Sequence, residues 1–257
     1  MKDLNFEYDN VDTSKAFNSK QEVYDLFRPN YDEKLLDILK SEYGLNKESI
    51  IVDYGCGTGK FTTLISKITK TCYAVEPNQD MINLLLKKAL PANNIIFLNE
   101  KAEGTTIPNN IIDFAFSVHS FHYFNKEYFK KELQRVLKKD AYFGIIWYDY
   151  LDSSSAFQTE WNDLMYDKKA FKDNHNKKED RDSIYIDGMF KEHVFNVKKE
   201  YSYLELLGLG LSVSSTPLPN EDGYSEFEKE VKNIFEKHNV NGKVTFNLKC
   251  HLQIGRV

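Results

Sequence analysis

The sequence predicts an α/β fold with an open, largely parallel sheet, and three observations predict it. Ile50, Ile51 and Val52 run into Asp53 and Tyr54 and then into a turn with glycine at 55, 57 and 59. β-Branched residues in a short apolar run read as a buried strand, and the glycines let the chain turn sharply beside a ligand. Residues 61–68 then place Phe61, Leu64, Ile65 and Ile68 on one helical face. The glycine turn therefore joins a strand's C-terminal end to a helix start, where open α/β sheets bind ligands. Further apolar runs at 71–75, 95–98, 111–118 and 142–147 alternate with helix-period segments, the rhythm of strand-helix units.

Residues 8–17 are polar and aromatic and are expected to fold against the ligand site. Val23, Leu26 and Phe27 anchor a short helix that stops at Arg28, because Pro29 disfavours helical geometry in the residue before it. Leu35, Leu36, Ile38 and Leu39 form the buried face of the next helix, ending near Gly44. Pro77 opens a helix over 78–90 with Met81, Leu84, Leu85 and Leu86 apolar, and its missing amide proton costs little there. Residues 125–137 turn Phe129, Leu133, Val136 and Leu137 inward. Beyond 151, Phe157, Trp161, Leu164 and Met165 share a face, whereas 168–182 is charge-rich and reads as a solvated loop or exposed helix. Residues 194–203 and 244–254 alternate as late strands. Between them lie an apolar helix at 204–211 and a longer one carrying Phe227, Val231, Ile234 and Phe235.

With 41% of 257 residues hydrophobic, the chain can build one large α/β domain, with or without a cap. Its 34 basic and 39 acidic residues give a net charge of -5 without a long basic block, so no nucleic-acid partner is expected. Cys56, Cys72 and Cys250 lack ligand spacing, and no nearby carboxylate joins His119 and His122 in such a spacing, so no metal is expected. The absence of a long apolar run predicts a cytoplasmic protein without a membrane partner. A monomer is the default, a dimer remaining open. His175 and His193 are assigned to the surface.

Several residues carry chemistry. The Asp53 carboxylate either fixes the glycine loop or reaches a cationic amino group. Glu76 follows the second strand, where a carboxylate takes both ribose hydroxyls of a nucleoside, in NAD sites as in others. Met81 either touches an adenine ring or packs the core. The fourth strand delivers His119, Ser120, Phe121, His122, Tyr123 and Phe124 to the same rim. An imidazole there suits proton transfer near neutral pH, whereas aromatic walls would only exclude water. Of Trp147, Tyr148 and Tyr150, one is expected to line a substrate pocket, where an aromatic plate packs on apolar groups or a cation.

Taken as an ordered set, DYGCGTGKFT (53–62), AVEPNQDM (74–81), NEKAEGTTIP (99–108), DFAFSVHSFHYF (113–124) and RVLKKDAYFGIIWYD (135–149) resemble the successive motifs of class I S-adenosylmethionine-dependent methyltransferases. FRPNY (27–31) is similar to the YRPxY segment of their type 11 small-molecule subgroup, and SVSSTP (212–217) to a later turn of that subgroup. Trans-aconitate methyltransferases are a more distant likeness. The resemblance implies a Rossmann-like, seven-stranded mixed sheet in the order 3-2-1-4-5-7-6 with a helical cap. It implies a helical lid at 1–47 and a core at 48–257, with 151–192 as a cap insertion between strands five and six.

S-adenosyl-L-methionine is the implied cofactor, bound by Asp53, Gly55, Cys56, Gly57, Thr58, Gly59, Glu76, Pro77 and Met81. Ala102 and Glu103 would frame the adenine, Ser117 and Val118 would contribute backbone, and Arg28 would clamp the methionine carboxylate unless it serves a surface ion pair. His122 or His119 would orient the acceptor or take its proton, with Phe121, Tyr123, Trp147, Tyr148 and Tyr150 around it. The implied reaction is in-line methyl transfer to a small, partly apolar molecule. A non-catalytic cofactor-binding protein and an NAD-dependent oxidoreductase are the alternatives. SVHSFHYF stands where nucleic-acid methyltransferases carry a Pro-Pro-aromatic signature, and LKKDA (137–141) replaces the common LKPGG, so that turn needs another backbone geometry.

Overall fold

A computed structural model describes residues 20–89, 93–150, 155–165, 181–213 and 215–257. The expectations for residues 8–17, His175 and most of the charge-rich stretch lie outside the described residues, as does Ser214 of the late turn. The strands are β1 (Ile50–Tyr54), β2 (Thr71–Val75), β3 (Ile95–Leu98), β4 (Ile112–Val118), β5 (Leu137–Asp149), β6 (Phe190–Tyr201) and β7 (Val244–Gly255). They form one sheet in the order β3-β2-β1-β4-β5-β7-β6. β1 to β5 pair in parallel, and β7 runs antiparallel to β5. The helices are α1 (Lys20–Phe27), α2 (Glu33–Tyr43), α3 (Lys60–Ser66), α4 (Gln79–Ala89), α5 (Lys126–Val136), α6 (Ala156–Met165), α7 (Tyr203–Leu211) and α8 (Tyr224–His238).

The chain divides into two compact units. One holds β1 to β5 and α2 to α5. Ile51, Val52, Asp53 and Tyr54 are buried in succession along β1, as expected of a central parallel strand covered on both faces. Tyr54 pairs with Val75 on one side and Ser117 on the other, so the ends of β1, β2 and β4 lie level. That alignment brings three loops to one rim. In α5, Phe129, Leu133 and Val136 are fully buried. Gly44 closes α2 in the left-handed region at φ 77, as its place in the sequence predicts.

The other unit contains α1, α6, α7 and α8. Residues 206–211 of α7 are buried on every side. A side chain at Gly208 would stand 2.3 Å from the Phe27 ring, and one at Gly210 would stand 2.8 Å from Phe227. The glycines that interrupt this helix therefore admit neighbouring aromatics. Lys20 donates to the carbonyls of Leu211 (3.0 Å) and Val213 (2.9 Å), satisfying the helix's C-terminal end.

Three expectations are corrected. β5 begins at Leu137, five residues before the expected 142, because the LKKDA segment is a bulge within the strand. Ile112 pairs with Leu137 and Phe114 with Tyr142, and Asp140 takes φ 66. Leu26, expected to anchor α1, is 66% exposed. His193 is half-buried, 2.8 Å from the Tyr43 hydroxyl, and burial holds its pKa below the usual value. No helix among the described residues is long and apolar enough to cross a membrane.

Candidate cofactor site at the ends of the central strands

The glycine turn is built by backbone bonds before any ligand is considered. Gly55 and Cys56 donate to the Val75 carbonyl at 2.8 and 3.1 Å, and Gly59 donates to Cys56 at 2.9 Å. Gly55, Gly57 and Gly59 have φ of 67, 56 and 77, a region costly for other residues. Their surroundings differ. A side chain at Gly55 would stand 2.5 Å from the Ser120 Cβ, and one at Gly59 2.0 Å from Leu85 of α4. At Gly57 it would meet nothing within 4 Å. Two glycines thus serve close packing, while at the middle one the place of a side chain is empty and leaves room for a ligand against the turn.

Glu76 stands beside that opening at the end of β2. Its Oε2 accepts from the Gly57 amide (3.0 Å) and its Oε1 from the Asn78 amide (3.0 Å). Each carboxylate oxygen keeps a further lone pair for a hydroxyl, so the arrangement fits a ribose diol. Asn99 donates to the carbonyls of Glu76 and Pro77, both at 3.0 Å, and fixes the strand end. Met81 is half-buried in the first turns of α4.

Asp53 is fully buried, and its Oδ2 accepts from the Thr62 hydroxyl at 2.6 Å. Its Oδ1 makes no hydrogen bond among the described residues. Burial, opposed by the Thr62 bond and aided by Glu76, raises this carboxyl to about 7. Asp53 thus ties β1 to α3. Thr58 is buried, and Cys56 is half-buried with burial pushing its thiol's pKa up.

Ala102 is 4% exposed, and the Glu103 Oε1 accepts from the Asn125 amide at 2.8 Å. Ser120 donates to the Tyr54 carbonyl at 2.7 Å, which commits its proton, so the Ser117 hydroxyl 2.8 Å away is the donor of that pair. Val118 is 8% exposed at the end of β4. His119, at φ 54, accepts at Nε2 from the Tyr148 amide at 2.9 Å. An amide can only donate, so Nε2 is the bare nitrogen of a neutral ring. His122 and Tyr123 are exposed on a short 3-10 turn, ring centroids 4.0 Å apart.

Residues 52–145 match the family model of the methyltransferase domain. That stretch is similar to a methyltransferase domain. An uncharacterised methyltransferase of Schizosaccharomyces pombe is 27% identical over 91% of this chain and 94% of its own length. A methyltransferase-like protein of the same yeast is 31% identical over 52% of this chain, which spans about half (51%) of that relative's length. A solved structure of a candidate type II methyltransferase from Anaeromyxobacter dehalogenans has a TM-score of 0.62 at 19% identity, covering 90% of this chain and 98% of its own. The chain thus shares the fold of that solved methyltransferase structure.

The remaining site candidates separate. Phe121 is 5% exposed and packs among Phe124, Phe129 and Phe143. Trp147 and Tyr148 are successive residues of β5 and so point to opposite faces. Trp147 stacks on His251 at 4.7 Å under the Arg181 guanidinium, whereas Tyr148 stacks on Tyr31 at 5.6 Å. Arg28 and Tyr150 belong to the other unit. There the guanidinium lies 5.4 Å from the Tyr24 ring and 5.9 Å from that of Tyr150. The sequence reading missed Asn99 and the pair Glu132 and Arg135, and it placed Ser120 at the rim without its bond to the Tyr54 carbonyl. It also missed a cleft of about 270 Å³ lined by Tyr31, Lys60, Thr63 and Lys67, in which burial lowers the Lys60 ammonium to about 8.

Proposed function

We propose that the protein transfers the methyl group of S-adenosylmethionine to a small, partly apolar molecule. One observation carries the cofactor half of this reading. Glu76 bonds the Gly57 amide at the one glycine of the turn where a side chain would meet nothing within 4 Å. The cofactor supplies a methyl already activated on a sulfonium, so alignment is the protein's main task. Gly57, Glu76, Met81, Ala102, Glu103, Ser117 and Val118 are assigned to hold it.

His119 is assigned to positioning, because its Nε2 is engaged by the Tyr148 amide. His122, exposed at the rim, is the histidine assigned to the acceptor. Residues 1–47 are assigned as a lid and 151–192 as a cap. We take the enzyme to act as a cytoplasmic monomer on a small molecule, since a net charge of -5 without a basic block does not favour a nucleic acid.

A radiolabelled-methyl screen tests this against cell extract and a panel of carboxylates, phenols, amines and thiols. Label in a small molecule is expected and names the acceptor class. Label only in RNA, DNA or protein overturns the substrate class, and cofactor binding without product in any fraction favours a non-catalytic binding protein.

A further inference from the structure

The loop from 99 to 111, between β3 and β4, has no ladder to satisfy its backbone, so its groups need other partners. Helix α5 supplies them. The Thr105 amide donates to Glu132 Oε1 at 3.0 Å, and the Thr105 hydroxyl donates to the same oxygen. Arg135 returns the contact, donating to the carbonyls of Thr105 (2.9 Å) and Ile107 (2.6 Å) and to the Asn109 side chain (2.7 Å). Its Nε and Nη2 also grip the two Glu132 oxygens at 2.8 and 2.7 Å, the forked geometry of a strong charge-assisted pair.

Glu132 is 5% exposed. A carboxylate buried that deeply must be paired and fully hydrogen-bonded, and here the guanidinium and the loop's own donors do both. The pair and the loop therefore hold each other. Loop geometry carries that order back to the cofactor side. Gly104 donates to the Lys101 carbonyl at 3.3 Å, a turn that encloses Ala102 and Glu103 immediately before Thr105. Asn125, the residue that caps α5, donates its amide to Glu103. One helix thus fixes both flanks of the segment.

We infer that Glu132 and Arg135 are positioning residues, which hold residues 99–109 in the shape that lets Ala102 and Glu103 meet the cofactor. This rests on the proposed cofactor reading. The test is calorimetric titration of S-adenosylhomocysteine into Glu132→Gln, Arg135→Lys and Thr105→Val, well below each variant's Tm, beside hydrogen exchange of the ligand-free proteins. Each variant is expected to bind roughly tenfold or more weakly per folded molecule, about 1.4 kcal/mol for each tenfold. Amides of 101–107 should exchange faster while those of β1 do not change.

Arg135→Met should bind more weakly than Arg135→Lys, since lysine keeps the charge but not the fork. Unchanged affinity with unchanged exchange at 101–107 overturns the inference, as does a loss confined to Tm. The control is Glu76→Ala. If it weakens binding and the clamp variants do not, the clamp fails and the cofactor reading stands. If the wild-type protein binds no S-adenosylhomocysteine, the cofactor reading fails and the inference falls with it, whatever exchange at 101–107 shows.

Discussion

Glu76 spends both carboxylate oxygens on backbone amides, so its removal should act twice, on the ligand and on the glycine turn it braces. Hydrogen bonds to a charged group are worth roughly 1.5 to 3 kcal/mol each. With two ribose hydroxyls to bond, Glu76→Ala should therefore weaken S-adenosylhomocysteine binding by about two to four orders of magnitude before relaxation, read by calorimetry. NAD should bind the wild-type protein far more weakly, and equal or better NAD affinity would sink the cofactor assignment. Asp53 gives a second prediction at the same scale. Its folded-state pKa is raised by burial to about 7, whereas an unfolded aspartate titrates near ~3.9. The folded protein then binds the extra proton, so this group's stabilising contribution is complete below about 4 and declines as pH rises to about 7. Asp53→Asn cannot titrate. Its Tm should gain on wild type across that interval and run parallel above it, and a constant difference from pH 4 to 8 would show that Asp53 does not titrate there.

Among the elements, β5 shows how one residue type substitutes for another. Asp140 occupies φ 66 inside the bulge that replaces the family's glycine-containing turn. Aspartate tolerates the left-handed region better than most residues but less well than glycine, the cost for an ordinary side chain being about 1 to 2 kcal/mol. The Asp140 ion pair with Arg256 is largely exposed and offsets little. Asp140→Gly should hold or raise stability by up to about 1 kcal/mol in urea titration, whereas Asp140→Val should lower it by about 1 to 2. Equal effects of the two would remove the backbone explanation. Most elements were legible because their signals are local: β1, the glycine turn, Gly44 and the inward face of α5 all follow from spacing. The bulge was not, since the motif led the eye to expect a turn outside the strand. The partners of the site were hidden for another reason. Thr105 meets Glu132, Ser120 meets Tyr54, and His119 meets Tyr148, contacts between residues 27, 66 and 29 positions apart that no periodicity encodes. Phe121 likewise looked like a pocket wall because its inward turn depends on Phe129 and Phe143.

For the whole molecule, the two compact units make different predictions when cofactor is added. The glycine turn, Glu76 and the 99–109 loop all belong to the unit that contains the central strands. Binding should slow hydrogen exchange at 54–59, at 76–78 and at 101–104, because groups ordered by a ligand open less often. Helix α1 belongs to the other compact unit, so its response isolates the proposed lid. If the N-terminal segment closes over bound cofactor, S-adenosylhomocysteine should also protect 20–28, where Lys20 already tethers α1 to the end of α7. That tether makes the measurement discriminating. A segment held in one place beforehand shows little exchange with or without ligand, whereas a closing element gains protection only when ligand is present. Protection at 54–59 without any change at 20–28 would leave the cofactor crevice in place and remove the lid. Protection at both, abolished together by Glu76→Ala, would tie closure of the lid to ligand held at the strand ends.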